Sequence, residues 1–291
     1  MLCSVIPYSR SIDDRLVTYH IPEEFSPFIA IGSSVKIPWG KDTIIGIVAN
    51  IAAEIPHEGI LKSIEAPQSA MPLLSANEIA MIVQLARYLF VRIHIIAQLF
   101  LPVSIFDFFE EKNFLELTPP KGLKGKGSIA DYIVAPDTDS IITYLKERLQ
   151  KFPGAVIVPD GISAQWWYEQ CGLDAIIDTH PKSVHRQKKI YLETLQGTHD
   201  ILFGTRRALL KRLGHFQRIY IVQENLSHNI LFGLKKIPLW IMAQHLAQHG
   251  HIIHYITTTP SIRTLTHFLQ EKKSIQYLEK IEIEQKIEKG T

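Results

Sequence analysis

Gln223, Glu224 and Asn225 follow the apolar run IYIV, and they are the polar residues of the sequence best placed to do chemistry. IYIV and the earlier run ILFG flank a Gly-Thr-Arg turn and a short basic helix, and both runs are typical of strands buried on both faces of a parallel sheet. Folds of the α/β class place ligands at the carboxyl ends of such strands. The stretch from Ile201 to Asn225 therefore predicts a sheet edge with a candidate site.

The chain from residue 129 onward alternates between strand and helix patterns. DYIVA and GAVIVP predict two strands on either side of a helix that has Ile141, Leu145 and Leu149 on one face. The alternation continues through DILFGT, RIYIV and HIIHYITT as strands, through AQWWYEQCG, VHRQKKIYLETLQG and PLWIMAQHLAQHG as helices, and SIQYLEKIEI adds a further strand. A parallel sheet covered by helices is the expected result.

The first 65 residues have a different pattern, in which short β-prone runs alternate with Gly and Pro at short intervals. This pattern predicts a small barrel or sandwich. From Ser75 the period is helical, with Ser75 and Glu78 as a capping box, and a second helix from about His94 to Leu101 ends before Pro102. We therefore predict an α/β protein whose first domain is small and β-rich with two helices.

A linker is predicted between the two parts. Thr118 to Ser128 contains two prolines and a Gly/Lys run, in which Lys121, Lys124 and Lys126 are solvated or contact phosphate. We expect the domains to be residues 1–105 and 129–291, with residues 106–128 as the linker.

The composition limits the classes of function. The 291 residues suggest two domains, and 46% apolar residues are enough to bury ordinary cores. No run long enough to span a membrane and no signal peptide is found, so we expect a cytoplasmic protein that is not bound to a membrane. Two cysteines exclude a disulfide framework, and the histidines clustered from His245 to His254 lack a ligand pattern, so we expect no metal site. A formal charge of +2 means that any DNA site is a local patch.

Several motifs resemble the PriA-type replication-restart helicases (primosomal protein N′). DDRLVTYHIPEEF, GSSVKIPWGK, IIGIV, LKSI and YLF...AQLFLP follow the order of that family's N-terminal DNA-binding domain. IVPDGIS, HRQKKIYLETLQG, ILFGTRRAL, IYIVQEN and ITTTPS follow the order of its first helicase lobe. The resemblance implies a 3′ DNA-binding domain and a RecA-like lobe of the P-loop type. The resemblance covers some 250 residues. The family's second lobe, its zinc-binding cysteines and most of its winged helix have no counterpart in this sequence. Residues 106–128 stand in place of the winged helix.

The nucleotide motifs of that family are degenerate here. A P-loop needs glycine amides and a Lys to hold phosphates, together with a Ser or Thr for Mg²⁺. The corresponding stretch is Ala135 to Ile141, where Ser140 replaces the Lys, and Asp137 and Asp139 repel a polyphosphate. We expect Asp139 to be the N-cap of the following helix.

The magnesium-binding and water-activating motif of the family is also altered. The family has Asp-Glu-Glu-His where this chain has Gln223, Glu224, Asn225 and Leu226. Glu224 is the remaining counterpart of the general base, and without the Lys and the Asp it has no bound nucleotide on which to act. We therefore expect that ATP and Mg²⁺ binding are lost and that no residue is catalytic.

The resemblance also implies a site for the 3′ end of a DNA strand. The family uses an aromatic-acid-Tyr cluster, the glycine of a Pro-aromatic-Gly turn, and a Lys. The counterparts here are Val17, Thr18, Tyr19, Gly40 and Lys62. Tyr19 is either a stacking residue or a core aromatic, and Trp39 is expected to pack.

Two further sets of residues are predicted to contact DNA. Lys41 follows Gly40 in the same turn. The densest basic patch begins at the Gly-Thr turn and comprises Thr205, Arg206, Arg207, Lys211 and Arg212. Four phosphate contacts there predict a log-log salt slope of about −3 on a single strand. A merely solvated basic face is the alternative.

We predict from these observations a non-catalytic, PriA-like protein that binds single-stranded 3′ ends or forks in replication restart. Other primosome or replication proteins are possible partners. Two alternatives stay open: an ATPase that keeps Glu224 and borrows a second lobe from a partner, and a structural interaction protein that has lost DNA binding.

Overall fold

The computed structural model describes residues 1–8, 16–57, 60–68, 71–102, 105–106, 123, 127–179, 181, 183–210, 213, 215–226, 229–232, 235–271 and 273–279. The chain divides into two compact units. The first comprises Met1–Gly122, Pro181–Thr198 and Leu209–Gly214, and the second comprises Leu123–His180, His199–Ala208 and His215–Thr291.

The strands are β1 Leu2–Pro7, β2 Val17–His20, β3 Ser34–Trp39, β4 Asp42–Ala52, β5 Lys62–Ser63, β6 Ala66–Pro67, β7 Ser128–Val134, β8 Gly154–Val158, β9 Ile176–Asp178, β10 Leu202–Thr205, β11 Arg218–Val222, β12 Asn229–Phe232, β13 Lys235–Pro238, β14 Ile252–Thr257 and β15 Ser274–Tyr277. The α-helices are α1 Ala76–Leu89, α2 Ile93–Phe100, α3 Thr138–Lys151, α4 Gly161–Cys171, α5 Val184–Gln196, α6 Leu239–Gln248 and α7 Ile262–Gln270. Short 3-10 helices span Glu23–Phe28, Arg206–Leu210 and Glu224–Leu226.

The first unit is built on a six-stranded sheet with the order β5-β2-β1-β4-β3-β6. The neighbouring strands are antiparallel except β2 and β5, which are parallel. Inward-facing side chains of the strands and of the segments that follow them form one apolar core, which consists of Cys3, Val5, Tyr19, Ile21, Ile29, Val35, Ile37, Val48 and Ile64. The small β-rich domain predicted from the sequence is thus confirmed.

Helix α1 begins as the sequence predicts. The Ser75 amide donates a hydrogen bond to Glu78 Oε2 at 2.7 Å, and the Glu78 amide donates to Ser75 Oγ at 3.2 Å, which completes the capping box. Helix α2 ends at Phe100, two residues before Pro102, as predicted. Helix α5 also belongs to this unit, and its Tyr191 hydroxyl donates to the carbonyl of Leu73 at 3.2 Å.

The second unit is built on a seven-stranded sheet with the order β15-β7-β14-β11-β8-β10-β9. All the pairs are parallel. Helices connect the strands because parallel neighbours require crossovers. This architecture is that of a RecA-like α/β lobe, which confirms the predicted fold class. The short strand β9, the antiparallel hairpin of β12 and β13, and helix α7 were not foreseen from the sequence.

None of the helices in the described ranges is long and apolar enough to cross a membrane. The expected domain limits stay a prediction, since nearly all of residues 106–128 lie outside the described residues.

Candidate functional site

A pocket of about 230 Å³ lies in the first unit, where β3 turns into β4. It is lined by Val17, Thr18, Tyr19, Pro38, Trp39, Gly40, Ile60 and Lys62. All five positions that the sequence comparison assigned to a DNA-end site are in this list. The sheet thus brings together residues from β2, from the β3–β4 turn and from β5.

The strand pairing explains how the pocket is formed. Tyr19 and Lys62 lie opposite each other in the parallel pair of β2 and β5. The Tyr19 hydroxyl donates a hydrogen bond to the carbonyl of Pro38 at 3.2 Å, which connects β2 to the turn. Gly40 has φ 62, a conformation that disfavours side chains, and a Cβ there would meet no atom within 4 Å. The backbone at Gly40 is therefore open to approach by a ligand.

Tyr19 is too deeply buried to stack on a base. Its side chain is only 2% exposed and belongs to the core, so neither face of the ring is free for a base. Burial, followed by the charges of Cys3 and Glu65, raises the pKa of Tyr19 to about 12. We therefore reassign Tyr19 as a residue that supports the pocket wall.

Trp39, which was predicted only to pack, is the accessible aromatic residue of the pocket. It lines the pocket and is half-buried, so part of the indole is accessible. An indole in this position can stack on a base or a sugar. The signal in the sequence was its place directly before Gly40, in the Pro-aromatic-Gly turn.

The charge around the pocket comes from exposed side chains. Lys62 and Lys41 are both exposed, and Lys41 shares the two-residue turn with Gly40. Glu65 is also exposed, and its carboxylate accepts a hydrogen bond from Thr43 Oγ1 at 2.8 Å. Lys62 can therefore bind a phosphate in the pocket, with Lys41 in the adjacent turn, while the exposed carboxylates of Asp42 and Glu65 limit the net positive charge.

The basic patch predicted after β10 is not a single surface. Thr205 and Arg206 are only 7% and 3% exposed. The Arg206 guanidinium donates to the carbonyls of Ile157, Val222 and Gln223 at 3.0–3.1 Å. Because these carbonyls hold its donors, Arg206 ties the end of β8 to the end of β11 and cannot contact DNA phosphate.

Burial lowers the pKa of Arg206 to about 10, although the nearby Glu224 charge raises it in part. Of the predicted patch, Arg207 is exposed, and its contact with DNA stays a prediction, while Lys211 and Arg212 lie outside the described residues.

The loop between β7 and α3 places an acidic side chain at the start of the helix. Asp137, not Asp139, is the N-cap of α3, so that prediction is wrong. Asp137 Oδ1 accepts hydrogen bonds from the Ser140 amide at 2.8 Å and from Ser140 Oγ at 2.7 Å. The amides at a helix N-terminus bind anions, and here a carboxylate of the chain already occupies one of them. Asp139 is exposed in the same first turn and adds a second negative charge.

Glu224 is held by the protein itself. It is 1% exposed, and its Oε1 accepts hydrogen bonds from the Tyr132 hydroxyl and, at 3.1 Å, from the Ser261 amide. Burial and the hydrogen bond to Glu224 raise the pKa of Tyr132 above its usual range. The carboxylate thus anchors the start of α7 to β7.

Gln223 closes the same edge of the sheet. It has φ 52, which is rare for a residue with a side chain, and its amide donates to the carbonyl of Ile256 at 2.7 Å. Gln223 Oε1 accepts from the Thr258 amide at 3.2 Å and from Thr257 Oγ1 at 3.1 Å. Thr257 Oγ1 is also 3.0 Å from Asn225 Oδ1. Gln223 and Asn225 are therefore both hydrogen-bonded to Thr257, within the protein itself.

Within the described part of the chain, no group of three or more His, Cys, Asp or Glu side chains could hold a metal ion. The histidines near α6 make separate contacts: His251 Nδ1 lies 2.9 Å from the carbonyl of Phe216, and His254 Nδ1 lies 3.0 Å from Asp131 Oδ2. Burial lowers the pKa of His251 to about 4.

Residues 5–102 match the family model of the PriA 3′DNA-binding domain (3′BD). The match covers about a third of the chain and contains every residue that lines the pocket at the β3–β4 turn. No curated protein sequence matches the chain. The match supports DNA binding in replication restart. Residues 5–102 therefore form an N-terminal domain of the PriA 3′DNA-binding type.

Proposed function

We propose that this chain binds single-stranded or forked DNA ends through the pocket at the β3–β4 turn and acts in replication restart without ATPase or helicase activity. One observation carries the proposal: the fold brings Val17 and Thr18 of β2, Gly40 of the β3–β4 turn and Lys62 of β5 into one pocket. That pocket lies inside the region that matches the 3′DNA-binding domain.

The chemistry of the pocket suits a terminal nucleotide. Lys62 and Lys41 bind phosphate, and Trp39 stacks on the base or sugar. Gly40 lets the DNA backbone approach. Thr18 stands where the resemblance implies an acid, so a hydroxyl that donates as well as accepts replaces a carboxylate that only accepts. We therefore expect a preference for 3′-hydroxyl ends that is weaker than a carboxylate would give.

The absence of ATPase activity is the second part of the proposal. It is supported by the carboxylate of Asp137 at the N-terminus of α3 and by the contacts that hold Glu224. A nucleotide would have to displace these groups and would meet the negative charges of Asp137 and Asp139. Titration of the full chain with a fluorescent ATP analogue and Mg²⁺ tests this part, and saturable binding at submillimolar concentration would refute it.

The DNA-end site is tested by fluorescence anisotropy with two oligonucleotides that differ only in having a 3′ hydroxyl or a 3′ phosphate. We expect wild type to prefer the 3′ hydroxyl. We expect Trp39→Ala to weaken binding by about 1–3 kcal/mol, the usual value of one stacked base. Lys62→Ala should reduce the log-log salt slope by about 0.7, the value of one phosphate contact on a single strand.

The matched control is Lys151→Ala, which removes an exposed lysine from α3 in the second unit. This variant should bind both oligonucleotides as wild type does. Equal affinities of the wild type, Trp39→Ala and Lys62→Ala proteins for both oligonucleotides would show that the pocket is not the DNA site.

A further inference from the structure

Helix α1 ends on a residue with an unfavourable backbone conformation. Phe90 has φ 52, in the left-handed region where helices usually place glycine. The Phe90 amide donates to the carbonyl of Arg87 at 3.3 Å, and the Val91 amide donates to the carbonyl of Ala86 at 3.1 Å. These bonds complete the helix cap, so the backbone there needs a left-handed residue but does not need an aromatic one.

Packing of the Phe90 side chain does not offset this unfavourable backbone conformation. It is 91% exposed, and Tyr88, two residues earlier, is 50% exposed. A bulky residue in the left-handed region is strained relative to its ordinary conformations. An exposed aromatic ring in a strained backbone position is therefore not explained by the stability of the fold, and such outliers are typical of functional positions.

The surroundings of Phe90 are cationic. Arg87 and Arg92 flank it and are both exposed. The sequence contains no Asp or Glu from residue 79 to residue 106. Aromatic rings interleaved with cations, without acids, favour a polyanion that carries stacking bases, and single-stranded DNA is such a polyanion.

Arg87, three residues before Phe90, lines an open groove. The groove has a volume of about 390 Å³ and is lined by Ile31, by Ala49 on β4, and by a face of α1 that ends at Arg87. Strand β4 starts at Asp42, next to the pocket at Gly40, and reaches Ala49 about 24 Å further along at the usual rise of a strand. One strand of the sheet therefore leads from the pocket to the groove.

We propose that Phe90, with Arg87 and Arg92, is a second contact for single-stranded DNA, at which a base away from the 3′ end stacks on the phenyl ring. This inference rests on the proposed function, because it assumes that the first unit binds DNA. It adds a contact that is independent of the strand end. DNA that reaches both places has a longer footprint than the pocket alone provides.

The test uses the full chain and Phe90→Gly. Glycine is the favoured residue at this φ, so the variant should unfold at the same or a higher temperature than wild type. Its affinity for an oligonucleotide of about 16 nucleotides should fall by about fivefold or more, as loss of one stacked base requires. Phe90→Trp should restore the affinity. An oligonucleotide of about 4 nucleotides, which fills only the pocket, should bind wild type and Phe90→Gly equally.

Two controls separate this contact from the end site. Tyr277→Ala removes a 72% exposed aromatic ring from the second unit and should leave DNA binding unchanged. Phe90→Gly should weaken binding to 3′-hydroxyl and 3′-phosphate oligonucleotides by the same factor, whereas Lys62→Ala should reduce the difference between them. If Lys62→Ala binds DNA as wild type does and Phe90→Gly binds it more weakly, the end site is refuted and the second contact is supported. Unchanged binding of the longer oligonucleotide to Phe90→Gly overturns the second contact and would leave the groove to a protein partner.

Discussion

The residues of the pocket at the β3–β4 turn and those at the carboxyl edge of the parallel sheet were both predicted as sites. Their polar side chains differ in exposure and in hydrogen bonding. At the pocket, Lys41 and Lys62 are exposed. At the sheet edge, Arg206 and Glu224 are buried and hydrogen-bonded to other groups of the protein. The difference indicates where an external ligand can bind. A polar group that already has a partner within the protein must lose it before it can bind anything else.

Removing Arg206 is expected to have the largest effect on the sheet edge. Arg206→Ala leaves three carbonyls without their donor and the Glu224 carboxylate without a nearby cation. We expect a loss of about 3–5 kcal/mol in the free energy of unfolding, as for other buried charges that lose a partner. Urea denaturation of the full chain measures this loss.

Arg207→Ala is the matched control, because Arg207 is the next residue and is exposed. It should change the free energy of unfolding by less than about 0.5 kcal/mol. Equal stability of the two variants would show that Arg206 does not hold the sheet edge together.

Acid should destabilise the second unit through His251, one of its buried histidines. His251 is 5% exposed and has its pKa lowered to about 4, whereas an unfolded histidine titrates near 6.5. Below that value the unfolded chain binds a proton that the folded chain does not, so stability falls as the pH drops from about 6.5 towards 4. We expect a loss of up to about 3 kcal/mol from this group.

Urea denaturation near pH 7 and near pH 4.5 measures the pH effect. His251→Gln should lose less stability between these two conditions than wild type does. The exposed His57 provides the control, and His57→Gln should lose as much as wild type. A pH dependence of His251→Gln equal to that of wild type would contradict the assignment.

A smaller effect distinguishes the two aspartates before α3. Asp137→Ala removes the N-cap and should cost about 1 kcal/mol in the free energy of unfolding. Asp139→Ala removes only an exposed charge and should cost less than about 0.5 kcal/mol. Thermal unfolding compares the two variants. A larger loss of stability in Asp139→Ala than in Asp137→Ala would indicate that Asp139 is the cap.

The sequence was sufficient for the fold class because periodicity is a local property. The alternation of strands and helices after residue 128 and the capping box at Ser75 are both visible in short windows. The cap at Asp137 was missed because two aspartates near the helix start have the same chemistry, and the backbone decides which one has extended dihedrals.

The roles of Tyr19 and Arg206 depend on the tertiary structure and could not be predicted from the sequence. Tyr19 is buried because β2 pairs with β1 above a core that is assembled from distant segments. Arg206 binds carbonyls at the ends of β8 and β11, and these strands lie near it only because of the strand order of the sheet. The resemblance named residues that the fold brings into one pocket, but it did not show which aromatic residue is accessible.

The most direct test of the central claim is amide hydrogen exchange of the full chain with and without a single-stranded oligonucleotide that has a 3′ hydroxyl. We predict slower exchange in the β3–β4 turn at Gly40 and Lys41 and around Lys62. We predict no change at Asp137 to Ser140 or at Gln223 to Asn225. Protection at the sheet edge, with none at the β3–β4 turn, would contradict the account.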